Sequence, residues 1–423
     1  MLNSPAAEVP SLLGMSRERG RWVLIASGLV INLCLGTTYA WSVFVNPLIE
    51  YFTTHLGQTV TANEVLMPFS VILAVFAITM ALTGKYVETQ GPRKVTIIGC
   101  ILTGLGWLLA STATSISMLC VMYGVIGGMG IGIAYGATVA LAARWFPDRR
   151  GFAVGMTVLG VGFSALITAN LAGSFIAAYG VMSTFRIFGL GIIILTVPLA
   201  LPLTFPPGGW KPAGWNPPVS LKGEKVCCEC SRSEMLRTPV FYGLWVCYFI
   251  GCIAGLMAIS IAQPVGTELV HIGTALATAL VGFFAIFNGG GRPVFGFLTD
   301  RLTPGNTAML SFVLIALASL AMWQVPVVPI YIIAFAVLWG CSGGWLAIAP
   351  TATARYFGTG DYPRCYGLVF LAFGAGAIAG PQLAGFIRST TGSYLGVFPW
   401  VLILAIIGFF IAFILMRPPQ QKP

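Results

Sequence analysis

One arginine sets the chemistry this chain can do. Arg292 stands in the run Phe284-Ala285-Ile286-Phe287-Asn288-Gly289-Gly290-Gly291-Arg292-Pro293, inside an apolar stretch long enough to cross a bilayer. A guanidinium in hydrocarbon costs on the order of several kcal/mol. It cannot escape by losing its proton, because its pKa lies above about 12. It therefore needs an anion or a wet cavity. The chain has twelve acids: Glu8, Glu18, Glu50, Glu64, Glu88, Asp148, Glu224, Glu229, Glu234, Glu268, Asp300 and Asp361. Each falls in a tail, in a loop or at the end of an apolar stretch. With no acid at mid-membrane depth, the expected counter-ion is a bound solute, and a planar carboxylate matches the two-donor fork of arginine.

The neighbours of Arg292 extend this reading. Asn288 stands four residues earlier, on the same helical face. It can donate to a carboxylate or accept from a hydroxyl, or it can simply bond another helix. Gly289, Gly290 and Gly291 permit either close packing or a bend. Tyr39, Tyr135 and Trp345 fall near the middle of other apolar stretches. Each offers an apolar ring with a polar handle, for a small organic anion or for helix packing. Phe370 and Phe373 are expected to cover the apolar end of such a solute. One buried cation suits one carboxylate, since a second carboxylate left unpaired in low dielectric is costly. No second Lys or Arg lies at mid-membrane depth.

The elements that hold these residues follow from composition. Of 423 residues 57 % are hydrophobic and 8 % charged, against roughly 25 % charged in soluble proteins. So few charges cannot cover a globular surface, which excludes a soluble enzyme, a disordered chain and a nucleic-acid binder. Twelve apolar runs are long enough to span: Trp22 to Ile49, Asn63 to Gly84, Val95 to Thr112, Ile116 to Arg144, Phe152 to Ala177, Val181 to Phe205, Val240 to Leu269, Thr274 to Leu298, Thr307 to Trp323, Val327 to Arg355, Cys365 to Ile387 and Gly396 to Met416. Continuous apolar runs exclude a β-barrel. No cleavable signal peptide is expected before the first run.

With the N-terminus in the cytoplasm, 19 of the 22 Lys and Arg residues fall inside, and the other three are Arg186, Arg292 and Arg388. By the positive-inside rule both termini are expected to be cytoplasmic. The formal net charge of +10 then reflects anchoring to the inner leaflet.

The chain also repeats itself. Gly84-Lys85-Tyr86-Val87-Glu88 and Gly296-Phe297-Leu298-Thr299-Asp300 are 212 residues apart, as are Leu171-Ala172-Gly173 and Leu383-Ala384-Gly385. Arg144-Trp145-Phe146 and Arg355-Tyr356-Phe357 are 211 apart. A shared offset implies two halves in parallel orientation. The expected division is a cytoplasmic tail (1–21), a six-helix bundle (22–205), a cytoplasmic loop (206–238), a second six-helix bundle (239–416) and a second cytoplasmic tail (417–423). The loop is rich in proline and polar residues and cannot build a core.

Together these features resemble the major facilitator superfamily, an all-α membrane fold of two pseudo-symmetric six-helix bundles. The superfamily's signature after the second span stands here as Gly84, Glu88, Gly91, Arg93 and Lys94. Its second copy is Gly296, Asp300 and Arg301, without the later basic pair. Pro206-Pro207-Gly208-Gly209-Trp210-Lys211-Pro212, Glu234-Met235-Leu236-Arg237-Thr238-Pro239 and Phe241-Tyr242-Gly243-Leu244-Trp245 are similar to the oxalate/formate antiporter family, close to the monocarboxylate transporters. The resemblance implies a gating role for Gly84, Glu88, Arg93, Gly296, Asp300 and Arg301, and cavity-lining roles for Tyr39 and Tyr135. In monocarboxylate transporters an acid takes the place of Asn288 and joins proton coupling. In the family's oxalate carriage a lysine provides a second positive charge where Phe373 stands here.

The expectation is a secondary active carrier, not an enzyme, moving small monocarboxylates such as lactate, pyruvate or a short fatty acid by alternating access. Its partners would be the organic monoanion, a proton or an exchanged anion, and the lipid bilayer of the cell (inner) membrane; it is expected to be monomeric and to bind no nucleic acid. Proton symport is favoured, with an oxalate/formate-type anion exchanger as the alternative. The proton would ride on the substrate, on a tyrosine network or on an outer acid such as Glu268. No cofactor and no metal are expected: Cys227-Cys228-Glu229-Cys230 lacks a His partner and zinc-finger spacing, and no phosphate-cradling loop suggests ATP-driven transport. His55 and His271 are assigned to outer loops.

Overall fold

A computed structural model describes residues 14–148, 150–207, 210–213, 231–358 and 362–416. The Cys227–Cys230 cluster, most of the central loop and the side chain of Glu88 lie outside the described part. Among the described residues fifteen α-helices run in chain order: α1 (Arg17–Leu35), α2 (Ser42–Thr54), α3 (Ala62–Gln90), α4 (Pro92–Ala110), α5 (Ile116–Leu119), α6 (Gly128–Trp145), α7 (Arg150–Tyr179), α8 (Val181–Ala200), α9 (Arg232–Met235), α10 (Pro239–Pro264), α11 (Thr274–Leu302), α12 (Pro304–Gln324), α13 (Val328–Phe357), α14 (Tyr362–Thr391) and α15 (Val397–Leu415). A 3₁₀ segment (Gly36–Ala40) joins α1 to α2. Segments of wider π winding join α5 to α6 (Cys120–Gly127) and extend α10 (Val265–Leu269). Among the described residues twelve helical stretches are long and apolar enough to cross a membrane.

Their outward faces are apolar. Leu82, Ile194, Ile333, Phe386 and Ile414 are each more than half exposed in the bare protein, the arrangement lipid requires because only the hydrocarbon can cover them. Trp22 and Trp400 are exposed, which suits interface anchors. Trp210 packs edge-on against Trp145, 4.9 Å away.

The repeat holds at the level of helix ends. Adding 212 to the bounds of α3 gives those of α11, and adding 212 to α7 gives α14. The same shift carries Ile116–Trp145 onto α13 and the first residue of α4 onto that of α12. Packing repeats too: α4 with α6 and α8 matches α12 with α13 and α15, and α1 with α7 matches α10 with α14. The two bundles meet along two related seams, α3 with α14 and α7 with α11.

Several expected boundaries move. Gly84 and Glu88 lie on the last two turns of α3, and Gly296, Asp300 and Arg301 lie on α11, so neither signature occupies a loop. Nothing between Lys85 and Gln90 stops a helix; the stop comes at Gly91, where φ is +80° ahead of Pro92. Likewise α1 begins at Arg17, so Arg17–Arg21 are helical and not part of the tail. Arg388 sits in the last turns of α14, where its Nε donates to Glu268 at 2.7 Å. Glu268 is thereby engaged in an ion pair.

The two signature copies turn alike, but with different residues. Gly91 has φ/ψ of 80°/159° and Thr303, 212 positions later, has 78°/153°. That region is essentially reserved for glycine, and a β-branched residue held there stores on the order of 1–3 kcal/mol of strain. The Thr303 hydroxyl accepts from the Asn306 amide only at 3.5 Å, so little is lost with it. Thr303→Gly is expected to raise the thermal unfolding midpoint in detergent, and Gly91→Thr to lower it. A fall with Thr303→Gly would contradict the strain.

Candidate functional site

Helix α11 has two faces. Phe283, Phe287, Val294 and Phe297 face outward and are exposed, whereas Phe284, Ala285, Asn288, Gly289, Gly291, Arg292 and Phe295 are buried. Arg292 therefore lies on the inner face, 3 % exposed, looking across the α7–α11 seam. Its Nη1 donates to the Val158 carbonyl of α7, and its Nη2 donates to Asn288 Oδ1 at a long 3.5 Å. Its Nε is buried without a partner. Among the described residues no carboxylate forms an ion pair with it. The charge is thus held by one peptide dipole and one amide.

Asn288 is pinned from the other side, since its Nδ2 donates to the Trp339 carbonyl of α13 at 3.1 Å. It both ties α11 to α13 and props the guanidinium.

The glycines explain how α7 comes so close. A Cβ on Gly162 would lie 2.6 Å from the Gly289 Cα and 3.2 Å from Arg292 Nε. On α11, a Cβ on Gly289 would meet the Phe163 ring at 2.3 Å, and one on Gly291 would meet the Gly340 carbonyl at 2.2 Å. Gly289 and Gly291 are therefore packing positions and α11 runs unbroken past them, while a Cβ on Gly290 would meet nothing. Pro293 follows directly; it removes one backbone donor from the helix ladder beside the charged residue.

Tyr39 belongs to the 3₁₀ break in the first span. Two elements hold that break: Ser164 Oγ of α7 donates to the Gly36 carbonyl at 2.5 Å, and the Tyr123 hydroxyl of the π-wound segment meets the Thr38 hydroxyl at 2.5 Å. Tyr39 and Tyr135 are both buried, and both are within electrostatic reach of Arg292. Tyr135 meets Phe76 of α3 edge-on, with centroids 5.2 Å apart. Phe76 in turn meets Phe370 at 5.5 Å and Phe373 at 5.8 Å across the α3–α14 seam, and those two rings stack at 5.0 Å. Trp345 joins this group through Tyr248, on which it stacks at 6.0 Å, while Tyr248 lies 6.5 Å from Phe370. Every one of the seven expected binding residues is buried. Arg292 and Asn288 are bonded to one another, Tyr39 and Tyr135 lie within electrostatic reach of Arg292, Phe370 and Phe373 connect to Tyr135 through Phe76, and Trp345 is one ring further out.

Four participants were not among the expected residues: Val158, Gly162, Phe76 and Tyr248. A carbonyl carries no side-chain signal, and a glycine or a phenylalanine in an apolar span looks like any other. Tyr248 did carry one, a hydroxyl within the apolar run Val240 to Leu269. The signature residues lie elsewhere: Arg93, Asp300 and Arg301 are exposed, and the Arg301 guanidinium covers the Phe297 ring at 4.5 Å.

Comparison with known proteins agrees with this architecture. The family model described as Major Facilitator Superfamily matches residues 29–353 and 270–423. The chain is 30 % identical over 399 residues to an oxalate:formate antiporter of Oxalobacter formigenes, covering 93 % of this chain and 90 % of that one. It is 23 % identical over 399 residues to monocarboxylate transporter 12 of Xenopus laevis, covering 89 % and 84 %. Among solved structures, a bacterial homologue of the human lysosomal transporter Spinster, in an inward-facing and unoccupied conformation, superposes with a TM-score of 0.69 at 16 % identity over 94 % of this chain and 97 % of that one. The chain, a multi-pass membrane protein of twelve apolar helices, belongs to the Major Facilitator Superfamily.

Proposed function

We propose that this protein is a secondary active transporter of small monocarboxylates, of the size of lactate and pyruvate, whose carboxylate pairs with Arg292. The observation that carries the reading is the buried guanidinium on the α7–α11 seam with a carbonyl and an amide in place of an acid. A carboxylate is a far better partner than a neutral carbonyl, because charge-assisted bonds are roughly twice as strong. On entering, it takes the place of the Val158 carbonyl and engages the unpartnered Nε. Tyr39 and Tyr135 face the carboxylate, and the Phe76, Phe370 and Phe373 rings cover the apolar remainder. Neutralising Arg292 lowers the cost of the closed, dry state, which ties binding to movement of one bundle against the other. The signature residues Gly84, Glu88, Arg93, Gly296, Asp300 and Arg301 serve the gate. The carrier works as a monomer in the cell (inner) membrane with both termini in the cytoplasm.

Proton symport is the favoured coupling. With Glu268 bound to Arg388, the proton travels on the substrate or over the tyrosine hydroxyls. The second reading is anion exchange, favoured by the similarity to an oxalate:formate antiporter. The two are separated in proteoliposomes: a symporter responds to an inward proton gradient with no internal anion, whereas an exchanger needs internal substrate.

In that assay Arg292→Ala and Arg292→Lys are each expected to reduce monocarboxylate uptake to background, because lysine offers a point charge where a planar fork is required. Parental uptake by Arg292→Ala would end the proposal, and strong oxalate exchange with little lactate uptake would replace its substrate. Gly162→Ala is expected to insert normally but to lower the uptake rate at least tenfold, since its methyl group pushes against Gly289 and Arg292 Nε. An unchanged rate would show that the seam need not close this tightly.

A further inference from the structure

Tyr248 holds a hydroxyl that nothing in the fold uses. The side chain is fully buried on α10, and its Oη has no hydrogen-bond partner. Leaving a hydroxyl unsatisfied in a protein interior is costly, and an orphan of this kind calls for a ligand. Its surroundings place it at the site described above. The ring lies against Phe370, which stacks on Phe373 and meets Phe76, which in turn meets Tyr135. Tyr39, Tyr135, Tyr366 and Cys252 are within electrostatic reach of Tyr248, with no acid among them. Tyr39 and Tyr135 are also the two tyrosines that feel the charge of Arg292. A run of ring contacts thus joins Tyr248, a neutral donor on α10, to Tyr135, while the charged donor Arg292 stands on α11.

The stacked neighbour does not compete for this role. Trp345 Nε1 also lacks a partner, but a Cβ on Gly251 would lie 2.2 Å from it. That N–H is covered by α10 itself, which leaves the Tyr248 hydroxyl as the free donor of this stacked pair.

We propose that Tyr248 is a specificity-determining residue that binds a second oxygen of the substrate, so that the site selects carboxylates bearing an oxygen function on the adjacent carbon, the 2-hydroxy and 2-oxo acids, over plain alkanoates of the same length. This rests on the reading that Arg292 takes the carboxylate. A neutral donor suits an oxygen that carries no full charge, and one more hydrogen bond to a group absent from the plain acid is the kind of contact that discriminates substrates.

The test compares uptake of lactate, pyruvate and propionate by the parent and by Tyr248→Phe in proteoliposomes. The phenylalanine keeps the stack on Trp345 and the contact with Phe370 and removes only the hydroxyl. The quantity read is the ratio of lactate or pyruvate to propionate within each protein, which cancels differences in yield. Tyr248→Phe is expected to raise KM for lactate and pyruvate roughly three- to tenfold more than it raises KM for propionate, the worth of one hydrogen bond. An unaltered ratio, with all three acids affected equally or none affected, overturns the role of Tyr248 and leaves the Arg292 reading standing. Parental protein that takes up none of the three overturns the Arg292 reading, and this proposal with it.

Discussion

A permanent positive charge held away from water is the constraint around which this molecule is arranged. The Arg292 guanidinium cannot be neutralised by deprotonation and cannot reach solvent, so its surroundings must supply electron density. They supply the least that serves: a helix carbonyl already engaged in its own ladder, and an amide oxygen at the limit of hydrogen-bond length. Reaching that carbonyl requires α7 and α11 to cross almost at backbone contact, which only glycine at 162 and 289 permits. Holding the amide requires Asn288 to spend its own donor on α13. Glycine seam, asparagine prop and buried inner face are therefore one device for keeping a cation half-satisfied.

The internal symmetry shows how such a site arises from a scaffold with no preference for it. The 212-residue repeat exchanges the two seams, carrying α7 forward onto α14 and α11 back onto α3. Gly162 against Gly289 becomes Gly374 against Ala77, where a Cβ on Gly374 would lie 2.8 Å from the alanine methyl. Asn288 becomes Phe76, Arg292 becomes Met80 and Val158 becomes Phe370. One seam is dressed with a charge and an amide, the other with aromatic rings. Two equivalent helix crossings facing one another thus present a polar wall and an apolar wall, which suits a small solute with a charged end and an apolar end. A symmetric pair of seams with identical side chains could not do this.

Much of this was legible in the sequence, for definite reasons. A lone cation in an apolar run stands out because charge is so costly there, and Arg292 is where that argument places it. The repeat was visible because short runs on matching helices, Gly84–Glu88, Leu171–Gly173 and Arg144–Phe146, each recur at nearly one spacing. What stayed hidden was whatever depends on partners rather than residue type. The helix at 85–90 continues because no breaker occurs before Gly91 and Pro92, whereas an apolar count ends the span at Gly84. Phe76 and Val158 matter only because the fold brings α14 and α11 against them. Gly162 and Gly289, 127 positions apart, announce nothing until they touch.

The protein also contains its own control for what a structural buried arginine looks like. Among the described residues Arg21 and Arg292 are the two buried basic side chains, 7 % and 3 % exposed. Arg21 is paired by Glu18 and by Asp148, each at 2.8 Å, and its guanidinium lies 4.3 Å from the Phe146 ring. Those contacts bind the start of α1 to the turn between α6 and α7, and Glu18 also accepts from the Ala213 amide at 2.8 Å. When this chain needs a buried arginine to hold helices together, it surrounds the charge with two carboxylates and a ring, because removing such partners is strongly destabilising. At Arg292 it provides none of these, although an acid at position 288 or 158 would be geometrically close. The same sequence satisfies one charge and withholds satisfaction from the other. Its carboxylates and ring give Arg21 a structural role, and the absence of any such partner at Arg292 among the described residues is what supports the proposal of a counter-ion that arrives and leaves.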